Sequence, residues 1–255
     1  GKSRLCSWIL SHFPKDYQTL PYYELYGGGA SLLLNKKRSD FEYYGELDPL
    51  TYSAFYYAKS QPLEFEAILK QLEYSEKTFK ECLAYINFIR PTISLLSDAR
   101  PVYLTDGRGG VPLPIDVAVA WVVVKRWSRG GLGSDFSQST RLRGGQNEGK
   151  NSWENFLKGY RDLVCRLSSV KIENRNAELN LKELANKTNF VCQLFLDPPY
   201  LKETRTAKEV YDYEMTHQQH SDMLDLLVKI NINNPDIKIL LCGYDSKLYN
   251  DMLPG

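Results

Sequence analysis

No stretch of this sequence stays apolar for long. The longest uninterrupted run, VAVAWVVV from Val117 to Val124, falls far short of the roughly 20 residues that cross a bilayer. The first residues lack the layout of a secretory leader, so no membrane role is expected. Cysteine is sparse and unpatterned: Cys6, Cys82, Cys165, Cys192 and Cys242 are odd in number and never spaced as C-x-x-C. That argues against a disulfide framework or a thiolate zinc site, and fits reduced thiols in a cytoplasmic protein. Histidine is scarcer still. His217 and His220 stand three apart, but no cysteine or carboxylate pattern completes a site, and no metal is expected. Net charge is almost absent at +1, so attraction to a polyanion must come from local sorting of charge. Methionine is missing from position 1, where Gly1 stands, and the chain stops at Pro254-Gly255; residues are expected to be missing at both ends.

What is present suffices for folding. At 255 residues, 43% hydrophobic and 25% charged, the chain can bury one sizeable core, or one core with an inserted subdomain. Both ends alternate helix and strand patterns. Leu5, Trp8, Ile9 and His12 have helical spacing within 2–12, and 21–26 (PYYELY) is strand-like. After a glycine cluster come Leu32, Leu33 and Leu34, a short strand at 41–46, and a helix opened by Asp48 as N-cap with Pro49 at its first position. The middle reads as helical: one face carries Phe65, Ile68, Leu69 and Leu72, another Phe79, Cys82, Leu83, Ile86 and Ile89 before Pro91. A third helix is expected over 115–127, and a single amphipathic one from Trp153 to Leu167. Alternation resumes with strands at 190–196 and 237–243 around a helix at 216–230. The expected architecture is therefore an α/β sheet domain, 1–60 with 165–255, interrupted by a mainly helical insertion at 61–164.

One segment of that insertion sorts its charge. Between Lys125 and Lys150 six basic residues face two acidic ones, and six of the 17 glycines fall there. A flexible basic loop suits contact with phosphate, although alone it equally describes a solvated surface.

Glycine loops after a first strand let a backbone approach a nucleotide-like ligand. Gly27-Gly28-Gly29-Ala30-Ser31 follows the first strand pattern, but Leu32 stands where a dinucleotide fingerprint starting at Gly27 needs glycine, and no phosphate loop is present. A carboxylate at the second strand's end, Glu46, can take the two ribose hydroxyls of an adenosine moiety.

The most specific string is Asp197-Pro198-Pro199-Tyr200, closing the apolar run VCQLFL. An aromatic exocyclic amine is a poor nucleophile because its lone pair is delocalised. Two acceptors aimed at its N–H groups return density to nitrogen. The Asp197 carboxylate is one, and the Pro198 carbonyl, its direction restricted by successive prolines, is the other. They stabilise the charge that grows on nitrogen as it attacks carbon. Tyr200 offers a face for a base that has been flipped out of a duplex.

Over nearly its whole length the chain resembles the DNA adenine methylase family, whose members transfer a methyl group from S-adenosylmethionine to the N6 amine of adenine in DNA. Gly1-Lys2 matches the family's N-terminal glycine–lysine motif, and the resemblance implies that Lys2 approaches the cofactor. Glu24-Leu25-Tyr26-Gly27-Gly28-Gly29-Ala30 matches Glu-Pro-Phe-x-Gly-x-Gly, with leucine for proline, tyrosine for phenylalanine and alanine for the last glycine. Glu46-Leu47-Asp48 matches Asp-x-Asn. Asp197-Pro198-Pro199-Tyr200 matches without departure, and Leu241-Cys242-Gly243-Tyr244 resembles the later strand-end motif that walls the pocket.

The resemblance implies a Rossmann-like methyltransferase fold with an inserted target-recognition subdomain. It implies Asp197, Pro198 and Tyr200 as catalytic, and Lys2, Glu24, Tyr26, Gly27, Gly28, Gly29, Glu46 and Asp197 as the cofactor site. Arg126, Arg129, Arg141 and Arg143 are the expected DNA contacts. Double-stranded DNA is the expected partner of a cytoplasmic monomer, bacterial or phage-borne, with a cognate restriction endonuclease as a further partner. The alternatives are methylation of another amine (cytosine N4, RNA adenine or protein glutamine) and a non-catalytic nucleic-acid-binding module; aspartate at 197 and the basic insertion favour adenine in DNA.

Overall fold

A computed structural model of the chain describes residues 2–99, 110–137, 142–143, 146–205 and 212–253. It divides into two compact units, residues 1–48 with 169–255, and residues 49–168.

The first unit is built on five parallel strands: β1 (Tyr22–Leu25), β2 (Glu42–Glu46), β5 (Val170–Asn174), β6 (Gln193–Leu196) and β7 (Lys238–Leu241), in the order β5-β2-β1-β6-β7. β1, β2 and β6 are buried almost throughout, as parallel strands covered on both faces must be. The chain lays down strands to one side of β1, then returns to lay β6 and β7 on the other. The order of strands therefore reverses between β1 and β6, a switch point whose carboxyl side is where open α/β sheets hold ligands. Short helices α1 (Cys6–Leu10) and α2 (Ser31–Asn35) frame the start of β1 and the loop after it. Longer helices α9 (Ala177–Ala185) and α10 (His217–Asn233) bury Leu181, Leu184, Leu224, Leu227 and Ile230 in one apolar cluster with Leu25, Leu194 and Leu196. A last helix, α11 (Lys247–Met252), follows β7.

The second unit is helical: α3 (Pro49–Ser60), α4 (Pro62–Gln71), α5 (Glu76–Ala99), α6 (Ile115–Trp127), α7 (Glu148–Lys158) and α8 (Tyr160–Leu167), with a two-residue hairpin of β3 (Leu142–Arg143) and β4 (Gln146–Asn147). α6 is apolar nearly all round because it lies between α3 and α5, burying Val117, Ala120, Trp121 and Val124 against Leu50 and Ile86. Its last turn enters an aromatic cluster of Trp127, Tyr74 and Trp153. Among the described residues no helix is long and apolar enough to cross a membrane.

Several elements differ from the sequence expectation. The helix that patterning ends before Pro91 runs on to Ala99 with Pro91 inside it. The single helix expected from Trp153 to Leu167 is two, parted at Gly159, whose ψ of 1° leaves the helical range. β5 and α9 were not anticipated. The units part at 48/49 and 168/169 rather than near 60 and 164, since α3 packs on α6 and its apolar face completes the helical core.

Candidate active site

Both halves of the candidate site lie at the carboxyl ends of strands. β1 ends in Leu25 and runs into Tyr26 and the three glycines. Tyr26 and Ala30, with φ of 60° and 51°, hold left-handed conformations that side chains seldom adopt, and Gly28 at 50° shares that conformation without penalty. Such strain concentrates where a loop has a task beyond connection. The Tyr26 ring packs against the sheet core, and burial pushes its phenol well above the usual tyrosine range.

Glu46, the last residue of β2, is 8% exposed. Its carboxylate accepts from the Gly28 N–H at 2.5 Å and from the Asp48 N–H at 2.8 Å. Burial, reinforced by the charge of Asp48, pushes its carboxyl up to about 7. The backbone at Glu46 is held as firmly. The Asn174 amide donates to the carbonyls of Glu46 and Leu47 at 2.8 and 2.9 Å, and the Arg175 N–H donates to the same Glu46 carbonyl.

Glu24, within β1, is also buried. Its carboxylate accepts from the Tyr22 hydroxyl at 2.6 Å and the Leu33 N–H at 2.8 Å, so it serves the first turn of α2. Burial pushes this carboxyl up to about 7 as well.

β6 ends at Leu196 and delivers Asp197. The Lys2 ammonium donates to Asp197 Oδ1 at 2.7 Å and to the Tyr200 hydroxyl at 2.5 Å, and that hydroxyl donates to the same Oδ1 at 3.2 Å. Burial opposes the charge on Lys2, but its bonds to Asp197 and Tyr200 outweigh burial and hold the ammonium above the usual lysine range. Burial likewise pushes the Tyr200 phenol up to about 12. The Tyr200 ring meets Tyr244 edge-on at 5.0 Å, beside a hollow of about 530 Å³ lined in part by Gly243, Tyr244 and Tyr249 at the end of β7.

A cofactor of nucleoside type fits these residues. β-Carbons added at Gly28 or Gly29 would meet nothing within 4 Å, so the loop leaves open space above its backbone. The buried Glu46 carboxylate keeps lone-pair capacity beyond its backbone bonds. Lys2, Gly27, Gly28, Gly29, Glu46, Asp197 and Tyr200 thus gather at one sheet edge, and the buried Glu24 carboxylate lies within electrostatic reach of Asp197.

Of the four arginines, Arg126 is exposed with its guanidinium stacked over Phe156 at 4.2 Å, and Arg129 is exposed beside Ser134 and Asp135. Arg141 and the Arg143 side chain lie outside the described residues. Sequence reasoning missed Tyr44 and Asn174. Tyr44 looked like strand filling, and Asn174 closes a strand whose pattern, VKIEN, carries too little apolar signal to be recognised.

A glycine loop after the first strand, an acid closing the second and Asp-Pro-Pro-Tyr closing β6 define a Rossmann-like methyltransferase that acts on amines. More narrowly, residues 1–253 match the D12 class N6 adenine-specific DNA methyltransferase family, and the chain belongs to it. No curated protein matches the chain. It is an N6-adenine DNA methyltransferase that uses S-adenosylmethionine.

Proposed function

We propose that Asp197, Pro198 and Tyr200 form the adenine site, and that the glycine loop with Glu46 forms the cofactor site. S-adenosylmethionine supplies an electrophilic methyl carbon when bound. Asp197 accepts a hydrogen bond from the adenine amine, and the Pro198 carbonyl accepts the other, so both draw electron density to nitrogen as it attacks. Tyr200, braced edge-on by Tyr244, stacks on the base once it has left the duplex. The observation that carries this reading is the convergence of Lys2 and Tyr200 on one oxygen of Asp197. The ammonium occupies the acceptor that the adenine amine needs. Lys2 therefore keeps Asp197 and Tyr200 in place until the base displaces it.

Glu46 accepts the ribose hydroxyls. The helical unit at 49–168 reads the DNA, with Arg126, Arg129, Arg141 and Arg143 as its contacts. The same reading takes the chain as a monomer of the cytoplasm, with a cognate restriction endonuclease as a separate partner.

Asp197→Ala tests the assignment. Methyl transfer is expected to fall by about a hundredfold or more, the scale of removing one preorganised group from a transition state, with cofactor binding only partly affected by calorimetry. Normal turnover in the variant contradicts it.

A further inference from the structure

Three consecutive residues of β2 hold the glycine loop. The Gly45 carbonyl accepts from the Gly27 N–H at 3.0 Å, the Glu46 carboxylate accepts from the Gly28 N–H at 2.5 Å, and the Tyr44 hydroxyl donates to the Gly28 carbonyl at 2.6 Å. Strand alternation makes this possible, because residues 44 and 46 point to the same face of β2. A fourth bond, from the Ala30 N–H to the Gly27 carbonyl at 2.9 Å, closes the loop on itself.

Tyr44 is fully buried, and its ring lies so close under Gly27 that a β-carbon there would fall inside it. Burial, with the charge of Glu46 nearby, pushes the phenol far above its usual range, so the hydroxyl stays a donor. A phenylalanine would fill the same space. What the hydroxyl adds is a fixed direction for the peptide between Gly28 and Gly29, in a loop where Tyr26, Gly28 and Ala30 all have positive φ.

We propose that Tyr44 is a positioning residue for cofactor binding: its hydroxyl and the Glu46 carboxylate lock two successive peptides of the glycine loop so that Gly28 and Gly29 stay open to S-adenosylmethionine. This rests on the cofactor site assigned above. Tyr44 touches no substrate and acts through the loop.

The test compares wild type, Tyr44→Phe, Gly27→Ala and Glu46→Ala by calorimetric titration with S-adenosylmethionine, by steady-state kinetics on duplex DNA and by thermal unfolding. Tyr44→Phe is expected to weaken cofactor binding and raise its KM by about fivefold, the scale of one buried hydrogen bond, with kcat within about twofold. Gly27→Ala, which drives a β-carbon into the Tyr44 ring, reaches the same contact from the loop side and is expected to lose affinity too. A Tyr44→Phe protein that binds the cofactor as wild type does while Glu46→Ala has lost it overturns the role of Tyr44 and leaves the site assignment standing, as does a fall in kcat with KM unchanged. Wild-type binding in both Tyr44→Phe and Glu46→Ala places the cofactor elsewhere, and both readings fall.

Discussion

Glu24 and Glu46 are both pushed up to about 7 by burial, yet they serve different ends. In the unfolded chain each titrates near the usual glutamate value. Between those two values the folded protein holds protons that the unfolded chain has released. Stability contributed by these carboxyls is therefore full below the ordinary glutamate pKa and is lost as pH climbs towards about 7. Cofactor binding has the opposite slope, because a ribose hydroxyl donates best to an ionised Glu46. Affinity for S-adenosylmethionine is expected to rise as pH increases through about 7, and Glu46→Gln to flatten that profile, as titrations between about pH 6 and 8 will show. A flat wild-type profile contradicts the role given to Glu46.

Among the elements, β5 matters more than its sequence suggests. Its final residue, Asn174, is 2% exposed and ties the end of β2 in place through two carbonyls. Asn174→Ala is expected to cost about 1–3 kcal/mol, as two buried acceptors lose a donor, and urea unfolding measures it. The same strand shows where sequence reading stops. β1, β2, β6 and β7 were legible because each is a short apolar or aromatic run between turn signals. In β5 the burial falls on Val170, Glu173 and Asn174, and two of those are polar. Burial there is decided by partners across the sheet, such as the Tyr43 hydroxyl donating to Glu173 at 2.7 Å. The places of Asp197 and Glu46 at strand ends were legible because each closes a readable strand. Glu24 was equally legible, but its hydrogen bonds to the Tyr22 hydroxyl and the Leu33 N–H at the first turn of α2 were not, since only the fold brings those partners to it.

At the scale of the whole molecule, we assign the amine chemistry to the sheet unit made from both ends of the chain and the DNA to the helical unit from the middle. Patterning along the chain expected an insertion at 61–164, whereas the compact units part at 48/49 and 168/169, because α3 looks the same whether it covers a sheet or another helix. If the helical unit meets phosphate through Arg129, then Arg129→Ala is expected to weaken DNA binding across sequences and to lower the slope of log affinity against log salt by about one, with cofactor affinity unchanged. An unaltered slope removes Arg129 from the DNA interface. The central claim is the identity of the methylated atom. The protein is incubated with S-adenosylmethionine and methylation-free duplex DNA, and the digested nucleosides are read by mass spectrometry with Asp197→Ala alongside. N6-methyladenine from the wild type and none from the variant is the expected result; N4-methylcytosine, or N6-methyladenine from both proteins, contradicts the account.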